Sequence, residues 1–217
     1  STIAAKSLWF DWDICRLNEE GRGELLGQFK GNEHLLAICK DGTFYTTTLE
    51  LNTRFQGELL KVEKFNPAKV YSAIYLDEEG YYYIKRFCFE LSDNTVQYFV
   101  SPDENAKFVA ISEDRFPTVN VEFVQSGKKA KEPLVIDVDE FISVKGYKAK
   151  GKRAGMNIAS IDFGEPMEKE IPDEVLEDVG ENVSDELQDS GAEESQIVES
   201  STTQVIDFDM DDELTLF

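Results

Sequence analysis

Three segments of this chain share one plan: HLLAICKDGTFYTTTLEL from His34, VYSAIYLDEEGYYYIKRFCF from Val70 and KFVAISEDRFPTVNVEF from Lys107. Each reads as strand, turn, strand, with Val, Ile, Tyr, Phe and Thr in short alternating runs and little helical periodicity between them. Aligned, they superpose Ala37, Ala73 and Ala110, at spacings of 36 and 37 residues, and GELL at 23–26 recurs at 57–60. A hairpin cannot bury its apolar face alone, so hairpins recurring at a fixed interval must stack on one another. The expectation is an all-β, radially or linearly repeated architecture.

The turns support this reading. KDG at 40–42 and DEEG at 77–80 carry the Asp and Gly that hairpins demand, while EDRFP at 113–117 brings a proline and a longer loop. A fourth unit, LVIDVDEFISVKGYKAKGKR from Leu134, follows without a clear partner. The count is three to four or more blade-like units, fewer than a closed propeller usually needs. With Ser1 in place of an initiating Met, a fragment of a longer chain is expected.

Charge divides the chain in two. Of 44 acidic residues, 19 lie in 165–217 against the single Lys169, so the tail carries −18 of the net −22 and residues 1–164 only −4. A tail so charged, with no sustained apolar period, cannot offset its ordering entropy. The expected division is a β body over 1–164 and a disordered acidic tail over 165–217. Its short apolar clusters, at Val175 and Leu176, Val205 to Phe208 and Leu214 to Phe217, read as solvated tail or as spots that fold on binding.

Several classes of function lack their residues. Cys15, Cys39 and Cys88 lie far apart with no CxxC pair, which speaks against a disulfide framework or a Cys-based zinc site and for a reducing cytoplasm. No apolar run approaches a membrane span and no signal segment opens the chain. His34 stands alone, with no nucleophile elbow or phosphate loop, and reads as a strand-end residue. The pairs Asp137 with Asp139 and Asp207 with Asp209 match a magnesium loop poorly. No residue is expected to be catalytic and no cofactor is expected.

Against this acidic background VKGYKAKGKR, residues 144–153, carries five positive charges. If 147–153 is extended, Lys148, Lys150 and Lys152 fall on one face about 6.8 Å apart, with Ala149 and Gly151 opposite. Tyr147 and Arg153 flank the row, and Lys145 precedes it. With Lys128, Lys129 and Lys131 upstream, residues 128–153 hold eight basic and four acidic residues. Such a row is either solvated or meets an anion. Phosphate contacts of this kind are salt-dependent and carry no sequence information.

The stretches FDWDICRLNEEGRGELLGQF, LLAICKDGTFYTT and DEFISVKGYKAKGKR resemble the C-terminal DNA-wrapping domain of the DNA-cleaving subunit of bacterial type IIA topoisomerases, in particular topoisomerase IV of Bacteroidetes-like bacteria. The resemblance covers essentially all of 1–164. It implies a β-pinwheel, a propeller-like disc that binds and bends duplex DNA on a basic rim, in a cytoplasmic, nucleoid-associated enzyme. The cleaving tyrosine, the magnesium site and the ATPase then lie in the remaining domains of that subunit or in the companion ATPase subunit, and both are implied partners. Gyrases carry, in the corresponding subunit, the box Gln-Arg-Arg-Gly-Gly-Lys-Gly. Here Lys148-Ala149-Lys150-Gly151-Lys152-Arg153 has one Gly and no Gln, which favours topoisomerase IV over gyrase and argues against strong chiral wrapping. Further candidate contacts are Arg16 and Arg22 on the first hairpin, with Gly21-Arg22-Gly23 a faint second echo of the box, and Lys85 and Arg86, of which at most one points at a given surface. Tyr81 to Tyr83 reads as hairpin packing before a base-stacking platform.

Tethered to a basic rim, the tail acts as a local competitor for DNA at near-millimolar effective concentration, or is a solubilising appendage. Its terminus, Glu213-Leu214-Thr215-Leu216-Phe217, resembles the Gln-Leu-x-Leu-Phe peptides that dock on the replication sliding clamp, with Leu214, Leu216 and Phe217 as the contacts. The rival reading of the whole chain is a protein-interaction propeller with a solvated Lys patch.

Overall fold

The computed structural model describes residues 4–125 and 131–170, and the chain divides into two units, Ser1–Glu170 and Ile171–Phe217. Residues 165–170, expected to belong to the tail, are held against the body: Met167 N donates to Phe116 O at 2.8 Å, and Lys169 Nζ lies 2.6 Å from an Asp137 carboxylate oxygen.

The first repeat comprises β1 (Lys6–Asp11), β2 (Arg16–Asn18) and β3 (Glu24–Phe29), and the second β4 (Leu35–Cys39), β5 (Thr43–Thr47) and β6 (Leu59–Lys64). The third begins with β7 (Val70–Leu76) and β8 (Tyr82–Cys88), continues through the short β9 (Gln97–Tyr98) and ends with β10 (Lys107–Ser112). The fourth holds β11 (Thr118–Phe123), β12 (Leu134–Asp137), the single helical turn α1 (Val138–Phe141), β13 (Lys145–Gly146), β14 (Lys152–Arg153) and β15 (Ile158–Phe163). Helix is confined to α1 among the described residues, and none there is long and apolar enough to cross a membrane.

Four antiparallel-hairpin sheets result, with orders β2–β1–β3, β6–β4–β5–β9, β10–β7–β8–β13 with β14 also on β8, and, among the described residues, β12–β11–β15. One rule generates the second and third, and the first and fourth follow its first two steps among the described residues. A hairpin forms the centre, a later strand of the same repeat adds beside its first arm, and the next repeat supplies a strand beside its second arm. Thus β9, from the third repeat, completes the second sheet, and β13 and β14, from the fourth, complete the third. The link between β5 and β6 forms no strand, but its Leu49 and Phe55 pack into the core of the first sheet. This all-β succession with strands handed backwards is the β-pinwheel expected from the resemblance.

The expected hairpins at 34–51 and 70–89 are β4–β5 and β7–β8. The third differs: β10 pairs with β7 and β11 with β12 and β15, so the two arms of KFVAISEDRFPTVNVEF belong to different sheets. The GELL repeat corresponds to real equivalence. Gly23 and Gly57 precede β3 and β6 with φ of +83° and +77°, and a Cβ on Gly23 would lie 2.2 Å from Phe10 O.

Because sheets stack on both sides, strand faces alternate between two cores. Leu35 joins Leu8, Phe10 and Phe29, whereas Leu36 and Ile38 join Tyr71, Phe87, Phe89 and Phe99. Every residue of β4 and β5 is buried. Burying each large apolar side chain is worth about 1.5–3 kcal/mol, which is why β4 is a continuous apolar run, whereas the buried threonines of β5 find hydrogen bonds, Thr43 with Asp41 and Thr46 with Ser92.

Candidate nucleic-acid interface

The basic stretch is an arch. β13 runs parallel to the end of β8, with Lys145 beside Phe87, and β14 returns antiparallel beside Ile84 and Tyr83. The five residues between leave the sheet opposite Lys85 and Arg86, starting with a turn in which Ala149 N donates to Gly146 O at 3.0 Å. The expectation of an extended Lys148–Lys150–Lys152 row is therefore corrected. Gly151 sets the return: its φ is +93°, and a Cβ there would stand 2.5 Å from Ile84 O.

Two side chains pin the arch from below. Tyr75 Oη donates to Lys150 O at 2.7 Å, and Lys85 Nζ donates to Tyr147 O and Phe99 O, each at 2.6 Å. Lys85 is 3 % exposed, and burial pushes its ammonium down to about 8. It lies beneath the arch, out of reach of a phosphate on the arch's outer face. Arg86 is buried as well, and its guanidinium holds the Asp139 carboxylate. That hydrogen bond keeps Asp139 below the usual carboxylate range, with Lys169 adding to it. Tyr147, expected to flank the row, is core: its ring packs edge-on to Phe44 at 5.0 Å and its hydroxyl faces Gln97. These three residues build the platform beneath the arch and are not part of its exposed outer face.

The arch's remaining cations differ in freedom. Lys145 and Lys148 are exposed, and no carboxylate among the described residues lies within ion-pair distance of either. Lys150 Nζ sits 3.2 Å from the buried Asp77 and 4.6 Å from the Tyr83 ring centroid, and these partners raise its pKa. Lys152 donates to Phe141 O at 3.2 Å, and Arg153 Cζ lies over the Tyr81 ring, 3.3 Å from its centroid. Tyr83 in turn stacks on Tyr75, so the tyrosine run is hairpin packing that orients cations.

Elsewhere, Arg16 is exposed on β2, and Arg22 is exposed and paired with Glu20 at 3.1 Å. Asn18 shapes the Arg22 turn by accepting from Glu20 N and Arg22 N. Lys131 Nζ lies 3.4 Å over the Phe123 ring. Lys128 and Lys129, like Leu214, Leu216 and Phe217, lie outside the described residues. Asp137 and Asp139 hold Lys169 and Arg86, and Asp137 caps α1 by accepting from Asp139 N. Sequence reasoning passes over Tyr98, which is 49 % exposed beside the arch.

The family described as "Topoisomerase C-terminal domain, Bacteroidota" matches residues 16–161, which spans more than half of the chain and the entire arch. The chain belongs to this family. Within this topoisomerase C-terminal domain the match runs from β2 into β15. No curated protein matches it. Two solved structures are similar at 10 % identity: a C-terminal domain of DNA topoisomerase IV (TM-score 0.38, covering 76 % of this chain and 64 % of that one) and the E. coli ParC C-terminal domain (TM-score 0.37, 76 % and 83 %). The chain thus spans less than two thirds of the first, and neither likeness is close enough to carry an argument.

Proposed function

We propose that this domain is the non-catalytic DNA-binding and DNA-bending part of the DNA-cleaving subunit of a type IIA topoisomerase of the topoisomerase IV kind, holding a duplex segment for strand passage. The observation that carries the reading is the arch, a loop fixed to β8 by Gly151 and Lys85 that presents Lys145 and Lys148 without carboxylate partners among the described residues. Lysines held on a rigid loop contact phosphates at a lower entropic cost than lysines on a loose one. Lys150, Lys152, Arg153, Arg16, Arg22, Lys128, Lys129 and Lys131 are the further candidate phosphate contacts. The parent enzyme is an ATP-dependent isomerase whose chemistry lies in its other domains and in the companion ATPase subunit, and it works in the cytoplasm at the nucleoid. The acidic tail lowers DNA affinity by competition, and its last residues are a docking peptide for the sliding clamp.

The test is anisotropy of a labelled duplex of about 40 base pairs against 1–217 and 1–170 across a salt series. The reading expects log K to fall with log salt at a slope near −0.9 per phosphate neutralised, and tighter binding once the tail is removed. Absence of binding by both at low salt would overturn it and favour the protein-interaction scaffold. A clamp pull-down unaffected by removal of Leu216 and Phe217 would end the docking proposal.

A further inference from the structure

Between the arch and the strand handed back to the second sheet lies a cleft of about 390 Å³. Its walls include Tyr75, Lys85, Tyr98, Tyr147, Lys148 and Ser101. That volume is in the range of small-ligand sites, typically about 300–1,000 Å³.

Its charges are unbalanced. An ammonium has three donors, and Lys85, 3 % exposed, has carbonyl oxygens on two and no carboxylate within ion-pair distance among the described residues. A buried cation without a counter-charge favours an anion beside it. Lys148, also without a carboxylate among the described residues, stands at the same cleft, while Lys150 is already matched by Asp77. Glu78, which accepts from Ser101 at 3.1 Å, adds one negative charge to the lining and so disfavours a highly charged guest. Tyr98 supplies a half-exposed aromatic face, and no other ring stacks on it among the described residues.

We propose that this cleft binds a nucleoside monophosphate unit, its phosphate held by Lys148 and Lys85 and its base stacked on Tyr98. The unit is either a free mononucleotide or an unpaired nucleotide within DNA. The second source rests on the DNA-binding reading and the first does not.

The experiment titrates the 1–217 chain with dAMP, deoxyadenosine and inorganic phosphate by calorimetry, and with two labelled duplexes that differ only in one bulged adenosine. For the free source, dAMP saturates with a dissociation constant below about 1 mM. Either half of it alone binds at least about fivefold more weakly. Tyr98→Ala and Lys148→Ala each cost about fivefold or more, and Tyr98→Phe, which keeps the ring, retains binding. For the DNA source, the bulged duplex binds at least about threefold tighter than the paired one, and Tyr98→Ala removes that difference while leaving paired-duplex binding unchanged. The proposal is overturned if dAMP does not saturate and no Tyr98-dependent preference for the bulge is seen. Failure of the paired duplex to bind, with dAMP binding intact, would sink the DNA reading and leave the cleft standing.

Discussion

Lys85 connects burial, charge and function at a single side chain. Its ammonium is held at about 8 by desolvation, against an unfolded value near 10.4. Between these values the unfolded chain binds more protons than the folded one, so the lysine's penalty is full below about pH 8 and fades as the pH rises. From pH 7.5 to 9.5 this one group should add about 2 kcal/mol to stability. Denaturant titrations at the two pH values should show that gain in the native chain and lose it in Lys85→Met. Burial holds the Tyr45 and Tyr75 phenols up at about 12, with the opposite sign, but only above about pH 10. Lys148 is the complementary case, an exposed cation with no carboxylate within ion-pair distance among the described residues. Lys148→Ala should leave the melting temperature unchanged and make the salt slope of duplex binding shallower by about 0.9. The YIKRF pattern of β8 conceals this division, because alternation predicts one solvated face and here both faces are covered.

At the scale of elements, the arch depends on a residue with no side chain. Gly151→Ala puts a methyl group into Ile84 O at a positive φ, and the strained return should cost about 1–3 kcal/mol and weaken duplex binding as Lys148 moves. Gly21→Ala is the informative comparison: its φ is +82°, but no atom lies within 4 Å of the added carbon, so only the backbone cost remains. A melting curve for each variant separates clash from conformation. A second element-scale link joins β6, β7 and β10, where Glu113 receives Lys61 and Lys69, and Glu63 accepts from Tyr71. Hydrogen bonds from Lys61 and then Lys69 hold the Glu113 carboxyl below its ordinary value. Its contribution is present above about pH 4.3 and lost as the pH falls through the lower, folded value. Glu113→Gln should therefore melt with less dependence on acid than the native chain. The hairpins of this region are legible from KDG and DEEG because Gly42 and Gly80 occupy left-handed φ, a local demand. The pairing of β10 with β7 is not, since β10 is chosen by a core more than thirty residues away and Pro117 breaks the apparent hairpin. Alternating charges make the arch look like a strand, and Gly151 is the signal against that.

For the whole molecule, the repeat spacing carries the all-β class and the succession of hairpins, while the number of sheets and the exchange of strands lie beyond any local pattern. It makes the sheets interdependent. Deleting residues 126–170 removes every strand of the fourth repeat but β11, strips cover from Ile84 and Tyr75, and should abolish the cooperative melt of the third sheet, which a calorimetric scan would show. The same arrangement bears on how the protein is made. β9 emerges fifty residues after β5 ends, and β13 emerges 57 residues after β8 ends. At about 5–20 residues per second a ribosome leaves each sheet unfinished for roughly 3–11 s. During each such interval the nascent chain shows a bare strand edge to its neighbours on the same messenger, so crowded polysomes are where this fold is most exposed to misassembly.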